Sequence, residues 1–197
     1  MTAPRPPADL DRRSPDLVIL DAGRVMHRFY SAAHAPIHFD RSGDGRLNAP
    51  DGSYGVLYAA ATPSGAFAET FLRQPGRRLI PEDLLAAKAY AQLRATRPLR
   101  LVKLSGPGLA KLGATAEVTH GGLPYDVPQS WSAALYAVAA DIDGVAYTAR
   151  HDDEAVCYAI FDRASDAIAV LDRITRLDQD WFWEVAEGYG VGLAPSP

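Results

Sequence analysis

Tyr54-Gly55-Val56-Leu57-Tyr58-Ala59-Ala60-Ala61-Thr62-Pro63-Ser64-Gly65-Ala66-Phe67-Ala68-Glu69 changes its period halfway along, and that change decides the fold class. Over residues 54–60, Tyr54, Val56 and Tyr58 fall on one side and Leu57 and Ala59 on the other, the two-residue period of a strand. Thr62-Pro63 then supplies an N-cap followed by proline at the first helical position, which predicts a helix to residue 72. Phe67 with Phe71 and Ala68 with Leu72, each four apart, mark its buried side. Glu69 lies between these apolar positions, at the edge of that side.

Working outward, residues 25–30 read as a strand, and a polar loop from 34 to 53 follows, broken by Pro36, Gly43, Gly45 and Pro50. A loop of that length in a compact domain favours a functional role. Downstream, a helix is expected over 82–93 after Pro81, and a strand over 99–104. Residues 106–128, rich in Gly and Pro, read mostly as turns. Ser130 is expected to cap a helix to 140 that turns Trp131, Leu135 and Val138 inward. Strands follow over 145–148, 156–161 and 168–174, with a short aromatic helix over 180–187 and a terminal glycine-rich loop. The late strands come too close together for βαβ crossovers, so an α+β fold with mainly antiparallel sheet and flanking helices is expected. The prolines and charges of residues 1–15 predict a flexible N-terminal arm, followed by a single domain over 16–197.

Composition narrows the function classes. A hydrophobic fraction of 48% with 22% charged residues is that of a globular protein, and no run of about eighteen apolar residues offers a membrane span. The first fifteen residues lack the apolar core of a signal peptide, so a cytoplasmic location is expected. A net charge of −4 argues against direct nucleic-acid binding, which needs clustered uncompensated cations. Cys157 is the one cysteine, set in an apolar run where a buried inert thiol is expected. Walker, GxSxG and HExxH signatures are missing, and His34 with His38 has no third ligand at a spacing that completes a metal site.

Several scattered pieces resemble a known family when taken in order. They are His27-Arg28-Phe29-Tyr30, Gly45-Arg46-Leu47-Asn48, the strand 54–59, Ala66-Phe67-Ala68-Glu69, Trp131-Ser132 and Asp143-Gly144-Val145-Ala146-Tyr147. Their order is similar to that of RES-domain toxins, over roughly residues 24–162. Leu47 stands where the family often carries an aromatic, and Thr148-Ala149-Arg150 where many members show serine.

The resemblance implies an ADP-ribosyltransferase-like fold, a reaction that cleaves NAD⁺ by hydrolysis or phosphorolysis with the dinucleotide as substrate and no cofactor, and an Xre-type antitoxin as partner. It places the family's Arg, Glu and Ser at Arg28, Glu69 and Ser132, with Ser130 as the rival serine. Breaking the nicotinamide–ribose bond develops oxocarbenium character, which a carboxylate stabilises, and Glu69 is the candidate. Arg28 and Arg46 suit the diphosphate because a guanidinium fork holds two oxygens at once. Tyr58 offers a ring for the nicotinamide. Beside these stand plainer readings: a surface pair of Glu69 with Arg73, a core Tyr58 and a helix-capping Ser132. Two other functions fit the same residues, a protein ADP-ribosyltransferase and a catalytically silent binding module.

Overall fold

The computed structural model describes residues 3–195 apart from 75 and 77. Two strands open the domain, β1 (Leu17–Leu20) and β2 (Val25–Ser31), and β3 (Val56–Ala60) runs into α1 (Pro63–Phe71). Thr62 caps α1 as its position predicts, its hydroxyl accepting from the Gly65 amide at 3.1 Å. Next come β4 (Leu79–Ile80), α2 (Glu82–Ala86), β5 (Lys88–Ala95) and β6 (Leu99–Lys103). Three helices, α3 (Pro107–Leu112), α4 (Glu117–His120) and α5 (Asp126–Val138), lead to β7 (Gly144–Ala149). The chain ends with β8 (Asp152–Phe161), β9 (Ile168–Ile174), α6 (Asp180–Gly188) and β10 (Gly192–Leu193).

Eight strands form one sheet in the order β1-β6-β7-β8-β3-β2-β5-β9. All its neighbours are antiparallel except β6 and β7, which the three-helix crossover makes parallel. This is the mixed α+β architecture with a large, mainly antiparallel sheet and flanking helices that was expected. Alternation along the strands divides the core in two. Phe29, Val56, Tyr147 and Cys157 pack with Phe67, Trp131 and Phe182 of the helices on one face. Met26, Tyr30, Leu57 and Ile160 pack on the other, where Ile37 and Phe39 of the long loop cover them.

Four expectations meet a different structure. The helix over 82–93 stops at Ala86, and β5 takes the rest between β2 and β9. Its alanines favour helix in isolation, but pairing on both edges and burial of Ala89, Ala91, Leu93 and Ala95 outweigh that preference. Residues 106–128 hold α3, α4 and the start of α5 rather than mostly turns, because Pro107 and Pro128 stand in first turns, where their missing N–H is not needed. Ser130 therefore does not cap α5: its hydroxyl donates to Val127 O at 2.7 Å, and Val138 at the helix end is exposed. The N-terminal segment, expected as an arm, makes contacts with the domain: Leu10 is buried, Trp131 Nε1 donates to Pro4 O at 2.7 Å and Arg5 pairs with Asp126 at 2.8 Å.

One irregularity positions the site. β2 and β3 meet only at His27↔Ala60, and beyond that pair they separate. Asp40 of the long loop takes the place of β2 against Val56, exchanging two backbone hydrogen bonds of 2.9 and 3.0 Å. The sheet is thus split between Arg28–Ser31 and Val56–Ala59.

Candidate functional site

A cavity of about 470 Å³ occupies the split. Arg28, Arg46, Tyr58 and Glu69 all line it. Arg28 shares a sheet face with Met26 and Tyr30, while Glu69 belongs to α1 on the other face. The two reach one space because the sheet is open between them.

The Glu69 side chain is held by residues outside its own helix. Its carboxylate accepts from the Tyr147 hydroxyl on Oε2 and from the Arg150 amide on Oε1, both at 3.1 Å. Arg73 reaches only the Glu69 backbone carbonyl, at 3.2 Å, so the plain surface pair does not form. Burial, and after it the nearby Glu69 charge, raise the Tyr147 pKa well above the ordinary phenol value, which keeps the donor protonated. Burial also raises the Cys157 pKa, consistent with an inert thiol.

Arg28 sits in a contrasting setting. Its Nη1 donates to His38 O at 3.4 Å, while its Nε is buried without a hydrogen-bond partner. Burial pushes its pKa down to about 10, against the opposing pull of Tyr30 and Asp40. Arg46 also has a buried Nε without a partner, and its guanidinium lies 5.6 Å from the Tyr125 ring centre. An unmet buried donor costs about 1–3 kcal/mol, so both side chains lower their free energy when an acceptor arrives. Arg150 and Lys88 add charge to the same lining.

The loop carrying Arg46 is fixed by a chain of hydrogen bonds. The Tyr58 hydroxyl accepts from the Leu47 amide at 2.8 Å and donates to Asn48 Oδ1 at 2.9 Å, leaving only its ring for a ligand. Asn48 Nδ2 donates to Asp40 Oδ2 at 2.9 Å. Burial raises the Asp40 pKa, but the bonds from Ser42 and Asn48 outweigh it and hold the net value below the usual range. Gly45 is required here, since a Cβ would stand 2.3 Å from Asn48 Oδ1 and 2.6 Å from the Tyr58 oxygen.

Ser132 is brought to this loop rather than to the cavity. It is fully buried and absent from the cavity lining, donating to Leu47 O at 2.6 Å and accepting from the Tyr54 hydroxyl at 2.7 Å. Its rival Ser130 also stays out of the lining. The serine thus acts from behind, anchoring the backbone next to Arg46.

Sequence reasoning missed Tyr147 and the Arg150 amide as holders of Glu69. Tyr147 falls with Val145 on one face of β7, but nothing local in the sequence says that α1 lies over that face. His34 and His38 stack with ring centres 4.1 Å apart in the lining, and among the described residues no group of three or more His, Cys, Asp or Glu stands together as metal ligands. No described helix is long and apolar enough to cross a membrane.

The chain belongs to the RES domain family, whose sequence model matches residues 22–183. A chain of the solved M. tuberculosis MbcT–MbcA toxin–antitoxin complex superposes with a TM-score of 0.69 over 86% of this chain and 92% of that chain. At 15% identity that likeness is one of fold. Among curated proteins none matches in sequence.

Proposed function

We propose that this protein consumes NAD⁺, cleaving its nicotinamide–ribose bond, and that it is the toxin of a toxin–antitoxin pair. The observation that carries the reading is the placement of Glu69. Its carboxylate is oriented by Tyr147 and the Arg150 amide in the same cavity as two arginines with unpaired Nε groups. Family membership and the fold shared with a chain of a toxin–antitoxin complex support the toxin assignment. An Xre-type antitoxin is the proposed partner and the cytoplasm, which holds the dinucleotide pool, the proposed location.

In this mechanism the C1′–N bond breaks heterolytically and its electron pair stays with nicotinamide, which leaves neutral. Positive charge develops at the ribose, and Glu69 stabilises it while accepting a hydrogen bond from the 2′-hydroxyl. Water adds to C1′ and its proton passes to solvent, or hydrogen phosphate adds through an anionic oxygen. The arginines hold the diphosphate, and the Tyr58 ring faces the nicotinamide.

The test is to incubate pure protein with NAD⁺, with and without phosphate, and identify products by mass. Nicotinamide with ADP-ribose signifies hydrolysis, and ADP-ribose 1″-phosphate signifies phosphorolysis. Label transferred to a protein instead would make the enzyme an ADP-ribosyltransferase, and NAD⁺ left intact would end the proposal.

A further inference from the structure

The cavity rim near β2 holds more positive charge than its partners account for. Arg28, Arg73 and Lys88 all line the cavity, and none forms an ion pair with a described residue. Asp40, the carboxylate that acts on Arg28, is already bonded to Ser42 and Asn48. Lys88 pairs with Ser31 at the end of the β2–β5 ladder, at the edge of the split. Burial, followed by Arg73 and Arg28, lowers its ammonium pKa, so the three cations feel one another.

Tyr30 supplies an independent sign. Its side chain is only 3% exposed and lines the cavity, yet its hydroxyl has no hydrogen-bond partner. The Arg28 guanidinium lies 5.8 Å from its ring centre, with Nε also unpaired. Buried donors without acceptors, next to like charges without a counter-ion, are arranged for an anion rather than for stability.

We infer that Tyr30, Lys88 and Arg28 form a phosphoryl-binding corner, so that Tyr30 and Lys88 are substrate-binding residues alongside the arginine. The inference rests on the dinucleotide reading of the cavity. Such substrates offer two phosphoryl sources: the diphosphate common to NAD⁺ and NADP⁺, and the 2′-phosphate of NADP⁺ alone.

The experiment titrates ADP and adenosine 2′,5′-bisphosphate into the full chain and into Tyr30→Phe and Lys88→Ala by calorimetry, then measures KM for NAD⁺ and NADP⁺. Lys88→Ala is expected to weaken binding on the order of tenfold, with Lys88→Arg restoring most of it and Tyr30→Phe showing a smaller loss. Because the Tyr30 hydroxyl bonds to nothing in the fold, Tyr30→Phe should leave the melting temperature unchanged or raise it while binding falls. A purely structural tyrosine would not show that combination. Loss with ADP and with both dinucleotides assigns the corner to the diphosphate, whereas loss confined to the bisphosphate and NADP⁺ assigns it to the 2′-phosphate. Unchanged affinities and KM values in both variants, or no binding of either probe to the unaltered chain, overturn the inference. A chain that binds the probes but consumes neither dinucleotide ends the proposed reaction and leaves the corner standing.

Discussion

On the α1–β7 wall of the cavity both Glu69 carboxylate oxygens have donors, Tyr147 and the Arg150 amide, whereas on the β2 wall Arg28 Nε and the Tyr30 hydroxyl have none. Arg163, away from the cavity, shows what a structural arginine looks like in this fold. It stacks 3.6 Å over Tyr136 and donates to Tyr136 O and Ala139 O at the end of α5. Arg28 makes one long bond, to His38 O at 3.4 Å, lies 5.8 Å from the Tyr30 ring centre and leaves its buried Nε unpaired. In the proposed reaction the contrast separates two tasks: the acidic wall is preorganised, so no free energy goes into orienting the carboxylate, while the cationic wall is left open for acceptors that arrive with the ligand.

The largest effect that tests this contrast is at Glu69. Glu69→Gln keeps the shape and loses the charge, and NAD⁺ turnover is expected to fall by a factor on the order of 10² or more with the fold intact. Near-normal turnover in a folded variant would remove the acidic wall from the mechanism. Tyr147→Phe deletes one orienting donor, so a fall in kcat of about tenfold is expected, with a stability loss of about 1 kcal/mol in urea denaturation. A kcat within twofold of normal would mean that the Arg150 amide suffices.

Ser132→Ala sharpens the comparison from behind the loop. It strands the Leu47 carbonyl and the Tyr54 hydroxyl, at a cost of about 1–3 kcal/mol. Since Ser132 anchors the loop next to Arg46, KM should rise more than kcat falls; a loss confined to kcat would return the serine to the chemistry. Arg28→Ala should raise KM several-fold, because its contacts exist in the ground state as well as the transition state.

The smallest effect is in pH. Burial lowers the pKa of His27 and of His151 from 6.5, so the fold favours their neutral forms. Below 6.5 the unfolded chain binds more protons than the folded one, so their contribution is complete above 6.5 and is lost as pH falls through that window. The urea midpoint should therefore be lower at pH 5.5 than at 7.5, and an equal or higher midpoint at 5.5 would contradict the burial of these rings.

Much of the architecture was legible because it depends on local rules. The Thr62-Pro63 start of α1, the alternation of β3 and the α+β class follow from capping, proline geometry and side-chain period. β5 was not legible, since its alanine-rich run reads as helix until β2 and β9 flank it. Among site residues, Arg28, Arg46, Tyr58 and Glu69 were named from order and chemistry, and they share the cavity. Tyr30, Lys88 and Tyr147 were given no site role, because an unpaired hydroxyl or a donor to Glu69 is a relation between distant segments.

By itself, then, the amino-acid sequence determined the passage of β3 into α1, the three late strands and the residue types available for the proposed NAD⁺ chemistry, since these are matters of local period and side-chain identity. Only the tertiary structure decided that β2 and β3 part after a single pair, and that Arg28 and Glu69 meet in the gap from opposite faces of the sheet. It also decided that Ser132 stands behind the Arg46 loop, and not in the cavity. Those outcomes depend on long-range pairing and burial, where contacts between residues far apart in the chain compete for the same space.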